Sequence, residues 1–186
     1  MTATDGDSME LVTLLSEDGT ERGSAPKDDV HTTSTPLHLA FSCYLLNDHG
    51  ELLLTRRALS KRTWPGVWTN SFCGHPAPGE VMADAIRRRA EQELGTRVTE
   101  LQMVLPDYRY RAVDASGIVE NEICPVYVAR IDAPLLPEPV EVSEHAWVDI
   151  DDAARAVRSA PFAFSPWLQE QLPLLVRANG FPPCPS

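Results

Sequence analysis

The residues able to do chemistry cluster in the middle of this 186-residue chain, at two recurring spacings. Cys73 and His75 stand two apart, as do Glu120 and Glu122. If each segment is extended, both members of a pair project to one side of their strand. The other spacing is helical: Arg89 and Glu93 stand four apart in a run without breakers and so share one helix face. The pattern Gly74-x5-Glu80-x7-Arg88-x4-Glu93-x-Gly95 spans a loop, that helix and its end. Carboxylates presented this way suit a hard divalent cation, which bridges a carboxylate and a diphosphate by cancelling charge on both.

Charge points to the same kind of ligand. The chain has 16 Lys+Arg against 27 Asp+Glu, a net charge of -11, which argues against non-specific binding to nucleic acid or to an anionic membrane. Residues 1–30 hold eight acids and two bases, and residues 132–152 hold seven acids and no base. Residues 56–111, by contrast, hold ten bases and six acids. A cationic centre in an anionic shell suits a small anionic ligand. No run approaches the roughly 20 apolar residues of a membrane span. The first 20 residues place no basic residue before their short apolar stretch, so no secretory signal is expected and the expected location is the cytoplasm. Cys43, Cys73, Cys124 and Cys184 form no CxxC pair, so neither a zinc ribbon nor a disulfide framework is indicated. Cys43 lies in an apolar run and Cys184 in a Pro-rich tail, where both read as plain residues.

The elements that must position these groups follow from patterning. With 43% apolar residues, the length suits one domain with one core. Residues 1–22 read as an acidic, flexible segment whose first eight residues are disordered, 23–178 as the folded domain, and 179–186 as a Pro-rich tail. Within this frame Met9–Leu15 is a candidate first strand, and residues 22–36 a polar connection containing His31. His38–Leu46 reads as one buried strand, Asn47–Gly50 as a hairpin turn, Glu51–Arg57 as the partner strand and Val67–Phe72 as another. Val81–Leu94 is helical, with Gly95 at its end. Strands are expected at Arg97–Val104, Tyr108–Val113, Ile118–Ile131 and His145–Val148. A helix follows at Ile150–Arg158, and a last one starts at Ser165–Pro166 and runs to about Ala178. Mixed strands between helices predict an α/β sandwich in a single domain.

The Gly74–Gly95 pattern closely resembles the Nudix box, G-x5-E-x7-R-E-U-x-E-E-x-G-U with U apolar. It departs from the box at Arg88–Arg89, where the box has Arg-Glu, and at Gln92–Glu93, where it has two Glu. The resemblance implies the Nudix fold, an α/β/α sandwich with a mixed β-sheet, but not the hydrolase chemistry of the missing carboxylates. Asn70–Pro76 and Gly117–Glu122 look like the two signature segments of the type I isopentenyl-diphosphate isomerase family. Leu37–Ser42, Thr55–Lys61, Trp64–Asn70, Tyr108–Ala112 and Phe164–Trp167 match that family too, in order along the chain.

That family interconverts isopentenyl and dimethylallyl diphosphate, adding a proton at C4 and removing one at C2 through a tertiary carbocation. The resemblance implies one metal site formed by His31, His38, His75, Glu120 and Glu122, suited to Mn2+ or Zn2+. It implies Cys73 and Glu122 as the acid/base pair, with the Tyr110 hydroxyl hydrogen-bonded to Glu122. Either of the pair can be the acid, since the reaction is reversible. Trp167 would face the carbocation. Lys27, Arg57, Lys61 and Arg89 would contact the diphosphate, which arrives with Mg2+ held partly by Glu93. Arg88 would orient the helix, while Arg56, Arg62 and Arg87 read as surface charges. His49, His145, Cys124, Trp64, Trp68 and Trp147 read as structural. The expected partner is a small isoprenoid diphosphate, with no nucleic acid or membrane, and the expected state is a monomer. The alternatives are a Nudix hydrolase of a nucleoside or isoprenoid diphosphate and a non-catalytic Nudix binding module.

Overall fold

The structure is a computed structural model and describes residues 10–183. The segment 1–8, expected to be disordered, and Cys184 lie outside the described residues. In chain order the protein forms β1 (Leu11–Leu15), β2 (Glu21–Pro26), the one-turn helix α1 (Lys27–Val30), β3 (His38–Leu39), β4 (Phe41–Leu46), β5 (Leu52–Arg57), β6 (Trp68–Thr69) and β7 (Phe72–Gly74). Helix α2 (Met82–Leu94) leads to β8 (Val98–Leu105), β9 (Arg109–Val113), β10 (Val119–Ile123), β11 (Val126–Ile131) and β12 (Val142–Val148), followed by α3 (Ile150–Ser159) and α4 (Pro166–Arg177).

Two sheets result. One is five-stranded in the order β2-β1-β3-β10-β9; the other is seven-stranded, with β12-β5-β4-β11-β8 as its path, β6 paired to β5 and β7 to β4. The runs His38–Leu46 and Ile118–Ile131, each expected as one strand, are each divided between the sheets. The first breaks at Ala40 and the second at Cys124–Pro125. Strands β3 and β10 run parallel in one sheet, and β4 and β11 run parallel in the other. The two chains therefore cross between sheets side by side. Ala40 N–H donates to the Ile123 carbonyl at 3.0 Å and Ser42 N–H to that of Pro125 at 3.2 Å, so the crossing stays hydrogen-bonded. Pro125 has no N–H to continue a ladder, which favours the break there. Residues 22–36, expected as a connection, contain most of β2 and all of α1, and the expected boundary after residue 22 falls inside β2.

Alternation along β4 builds the core. Phe41, Cys43 and Leu45 pack with Ala85, Ile86, Ala90 and Leu94 of α2. Tyr44 and Leu46 turn to the other face and pack with Val157 of α3 and Leu168, Leu172 and Leu175 of α4. The larger sheet thus carries helices on both faces, as an α/β sandwich requires, and each fully buried large apolar side chain contributes roughly 1.5–3 kcal/mol. Helix ends are closed by sequence-local means. Asp149 accepts from the N–H groups of Asp151 and Asp152, and Ser165 accepts from that of Leu168 with Pro166 in the first turn. Gly95, at φ 58°, ends α2 in the left-handed region.

Candidate active site

The parallel pairing of β3 and β10 places His38 directly opposite Glu122. His75 follows β7, which is bonded to β4 next to that crossing, and His31 follows α1. The three imidazoles meet with ring centroids 5.1, 5.7 and 5.1 Å apart. One donor atom from each of His31, His38, His75 and Glu122 falls within 4.8 Å of the others.

This cluster fits a metal ion. His38 Nδ1 lies 2.9 Å from the Pro36 carbonyl, which can only accept, so this nitrogen carries a proton. In the neutral ring, Nε2 then points its lone pair at Glu122 Oε1, 3.4 Å away. Two acceptors facing each other define a slot for a cation. His38 Nε2 and His75 Nδ1 are both buried without a hydrogen-bond partner among the described residues, and His75 Nε2 lies 3.1 Å from the same Glu122 oxygen. Burial alone would raise the Glu122 carboxyl, but the His38 and His75 imidazoles beside it hold it well below the usual range. Glu120 is not in the four-donor set. Its Oε2 sits 3.0 Å from His31 Nε2, while Oε1 accepts from the Thr63 hydroxyl at 2.8 Å, so it touches the cluster through His31.

Of the thirteen expected site residues, all but His38 line one cavity of about 280 Å³. His38 is fully buried and touches the cavity wall at Glu122. Cys73 is held by two contacts: its thiol donates to Asn70 Oδ1 at 3.3 Å, and its sulfur lies 3.5 Å from Ser42 Oγ. Burial pushes this thiol up to about 12, although both contacts pull the other way. Tyr110 is the cross-strand partner of Glu122, but its hydroxyl makes no hydrogen bond to that carboxylate among the described residues, in contrast to the expectation; His38 and His75 occupy Glu122 instead. Trp167 is buried beside Tyr110, ring centroids 5.8 Å apart, and its indole N–H donates to Asn70 Oδ1 at 2.9 Å.

The four expected diphosphate cations line the same cavity, each engaged by the protein. Lys27 Nζ lies 2.8 Å from Glu10, and Lys61 pairs with Glu141. Arg89 is buried against Glu93, with Glu141 at 3.5 Å and Glu10 at 3.8 Å. Arg57 donates to the Thr63 and Trp64 carbonyls and lies 5.5 Å over the Trp167 ring. Burial pulls the Lys61 ammonium down to about 8, with nearby Arg57, Lys27 and Arg89 adding to the effect and Glu93 opposing it. Arg88 grips Glu80 through two 2.8 Å hydrogen bonds and reaches the His75 carbonyl at 3.2 Å, fixing the 75–80 loop to α2 as expected of a residue that orients the helix.

Three site residues were not anticipated. Glu141 lies in the acidic 132–152 stretch and Glu10 in the acidic start, neither within a motif; only their proximity in space reveals them. Asn70 stands inside a signature segment, but neither its type nor its spacing shows that it joins Cys73 to Trp167.

A NUDIX domain model matches residues 36–168. A Paenarthrobacter aurescens protein named isopentenyl-diphosphate Delta-isomerase is 60% identical over 173 residues, covering 93% of this chain and 94% of that protein. This chain belongs to the NUDIX-domain family, in the branch of proteins so named. A second such isomerase, from Mycolicibacterium vanbaalenii, is 57% identical over 93% of this chain and 95% of its own length. Among solved structures, a Deinococcus radiodurans protein superposes with a TM-score of 0.69 at 20% identity, over 89% of this chain and 98% of that one. At that identity it supports the Nudix fold alone. This chain retains the Nudix helix but not all of the box's carboxylates, as Arg89 and Gln92 show.

Proposed function

We propose that this protein interconverts isopentenyl diphosphate and dimethylallyl diphosphate. The observation that carries the reading is the placing of Cys73 and Glu122, on different strands, in the wall of one cavity that also holds the His cluster and four cations. Double-bond migration needs two proton-transfer groups and a dry site, because an alkene is a poor base. In the forward direction one member of the pair, Cys73 or Glu122, gives its proton to C4. The C3=C4 π electrons form the new C–H bond and leave a tertiary cation at C3. The other member takes a proton from C2, and the electrons of that C–H bond become the C2=C3 double bond. The reverse reaction exchanges the two roles.

His31, His38, His75 and Glu122, with Glu120 against His31, would hold Mn2+ or Zn2+, whose charge makes the Glu122 proton easier to release. Trp167 and Tyr110 present aromatic faces to the cationic centre, a contact worth roughly 0.5–2 kcal/mol that forms no bond. Lys27, Arg57, Lys61 and Arg89 would bind the diphosphate, brought as its Mg2+ complex to the side where Glu93 lies. The net charge supports action without nucleic acid, by a protein proposed as a cytoplasmic monomer, and no helix among the described residues is long and apolar enough to cross a membrane.

Phosphorus NMR of the purified protein with isopentenyl diphosphate and Mg2+ tests the reading. The expected product keeps both phosphates and shows the dimethylallyl shifts. Release of phosphate or of the monophosphate would contradict it and favour a Nudix hydrolase.

A further inference from the structure

Behind Cys73, on the side away from the cavity, the core holds a chain of polar groups with no packing reason to be there. Tyr44, Gln171 and Ser42 are all fully buried, in strand β4 and helix α4. The Tyr44 hydroxyl lies 2.9 Å from Gln171 Oε1, Gln171 Nε2 lies 3.0 Å from Ser42 Oγ, and Ser42 Oγ lies 3.5 Å from Cys73 Sγ. The direction of this chain can be deduced. The Tyr44 hydroxyl has Gln171 as its one hydrogen-bond partner among the described residues, so its proton is satisfied only if Gln171 presents its carbonyl there. Gln171 must then turn its amide N–H to Ser42, whose oxygen accepts it and whose own proton goes to a sulfur. Two sulfurs are in reach, and Cys124 Sγ lies 3.4 Å from Ser42 Oγ. The Ser42 oxygen has a second lone pair for the Cys124 S–H. The Cys73 thiol donates elsewhere, to Asn70, whose amide nitrogen is pinned by the Cys43 and Phe72 carbonyls at 3.1 and 2.8 Å so that its oxygen faces the thiol. With the Cys124 S–H on Ser42 Oγ, every group is satisfied when the Ser42 hydroxyl proton points at Cys73.

We infer that Tyr44 and Gln171 are positioning residues that aim the Ser42 hydroxyl at the Cys73 sulfur as a fixed donor during proton transfer to and from carbon. This deepens the isomerase reading and rests on it. The Ser42 proton stays on its oxygen throughout. When the sulfur has given up its proton, the Ser42 O–H faces a full negative charge and becomes a charge-assisted bond. The contact therefore strengthens in the reacting enzyme without changing how substrate binds, an effect that appears in kcat rather than KM.

The test is a double-mutant cycle on isomerisation by the intact enzyme, with Ser42→Ala, Tyr44→Phe and both together. Ser42→Ala is expected to lower kcat about tenfold or more, with KM within about twofold. Tyr44→Phe, which never meets the cavity and frees Gln171 to turn over, is expected to lower kcat by about threefold. In the Ser42→Ala background Tyr44→Phe should cost nothing further, a non-additivity that a merely structural role does not produce. Full kcat in Ser42→Ala, or an equal Tyr44→Phe effect in both backgrounds, would overturn the inference. A wild-type protein without isomerase activity would instead overturn the reading beneath it.

Discussion

Cys73 and Glu122 meet the hardest demand on the molecule, and they meet it from different strands of different sheets. Because each carries one proton transfer, Cys73→Ala and Glu122→Gln should each lower kcat by about three orders of magnitude or more while the fold persists. Turnover near that of the wild type in either variant, with circular dichroism unchanged, would remove that residue from the reaction. The pairs spaced by two were legible because a strand's alternation translates spacing into a shared face, and β7 with the residue after it, and β10, do turn Cys73, His75, Glu120 and Glu122 to one cavity. Ser42, Asn70 and Gln171 were not legible. A single small or amide side chain in an apolar run has no spacing signature, and its partners lie far along the chain, 129 residues apart for Ser42 and Gln171.

Elements hold these residues through a few local devices. The fork of Arg88 on Glu80 ties the 75–80 loop to α2, and the arginine beside it holds the Glu80 carboxyl below its ordinary value of 4.5. A depressed carboxyl stabilises the fold above its unfolded value and loses that contribution as pH falls through its folded one. Glu80→Gln should therefore lower stability by about 1 kcal/mol at pH 7, with the gap from wild type closing below about pH 4 in urea unfolding. A gap that stays constant with pH would mean that the ion pair contributes nothing. At the other end of α2, a Cβ on Gly95 would meet the Leu136 carbonyl oxygen in a backbone conformation that disfavours one. Gly95→Ala should cost about 2 kcal/mol or more, lowering Tm by at least about 4 °C. An unchanged melt would show that the 95–136 contact yields without cost. Helix ends such as Gly95 and Ser165–Pro166 were readable because capping depends on neighbours in sequence. The crossings at Ala40 and Cys124–Pro125 were hidden because the apolar runs continue through them on both sides.

At the scale of the whole molecule, two sheets joined by parallel crossing chains place His38 against Glu122, so the metal cluster is completed only in the folded protein. An ion that binds the folded chain and not the unfolded one raises stability with its concentration. Chelation should abolish activity and lower Tm, and Mn2+ or Zn2+ should restore both. In His38→Ala the ion should no longer raise Tm; an undiminished rise there would place the bound ion elsewhere. The cationic centre read from residues 56–111 became the cation-lined part of one cavity, but the carboxylates that pair with those cations, Glu10 and Glu141, came from acidic stretches that composition could describe only as solvent-facing. The central claim is that this cavity moves protons and leaves the diphosphate intact. It is tested most directly by incubating the protein with isopentenyl diphosphate and Mg2+ in D2O and following the proton spectrum. Dimethylallyl diphosphate carrying deuterium in the methyl group derived from C4 is the predicted result. Conversion without deuterium, or loss of phosphate with the double bond in place, would contradict the account.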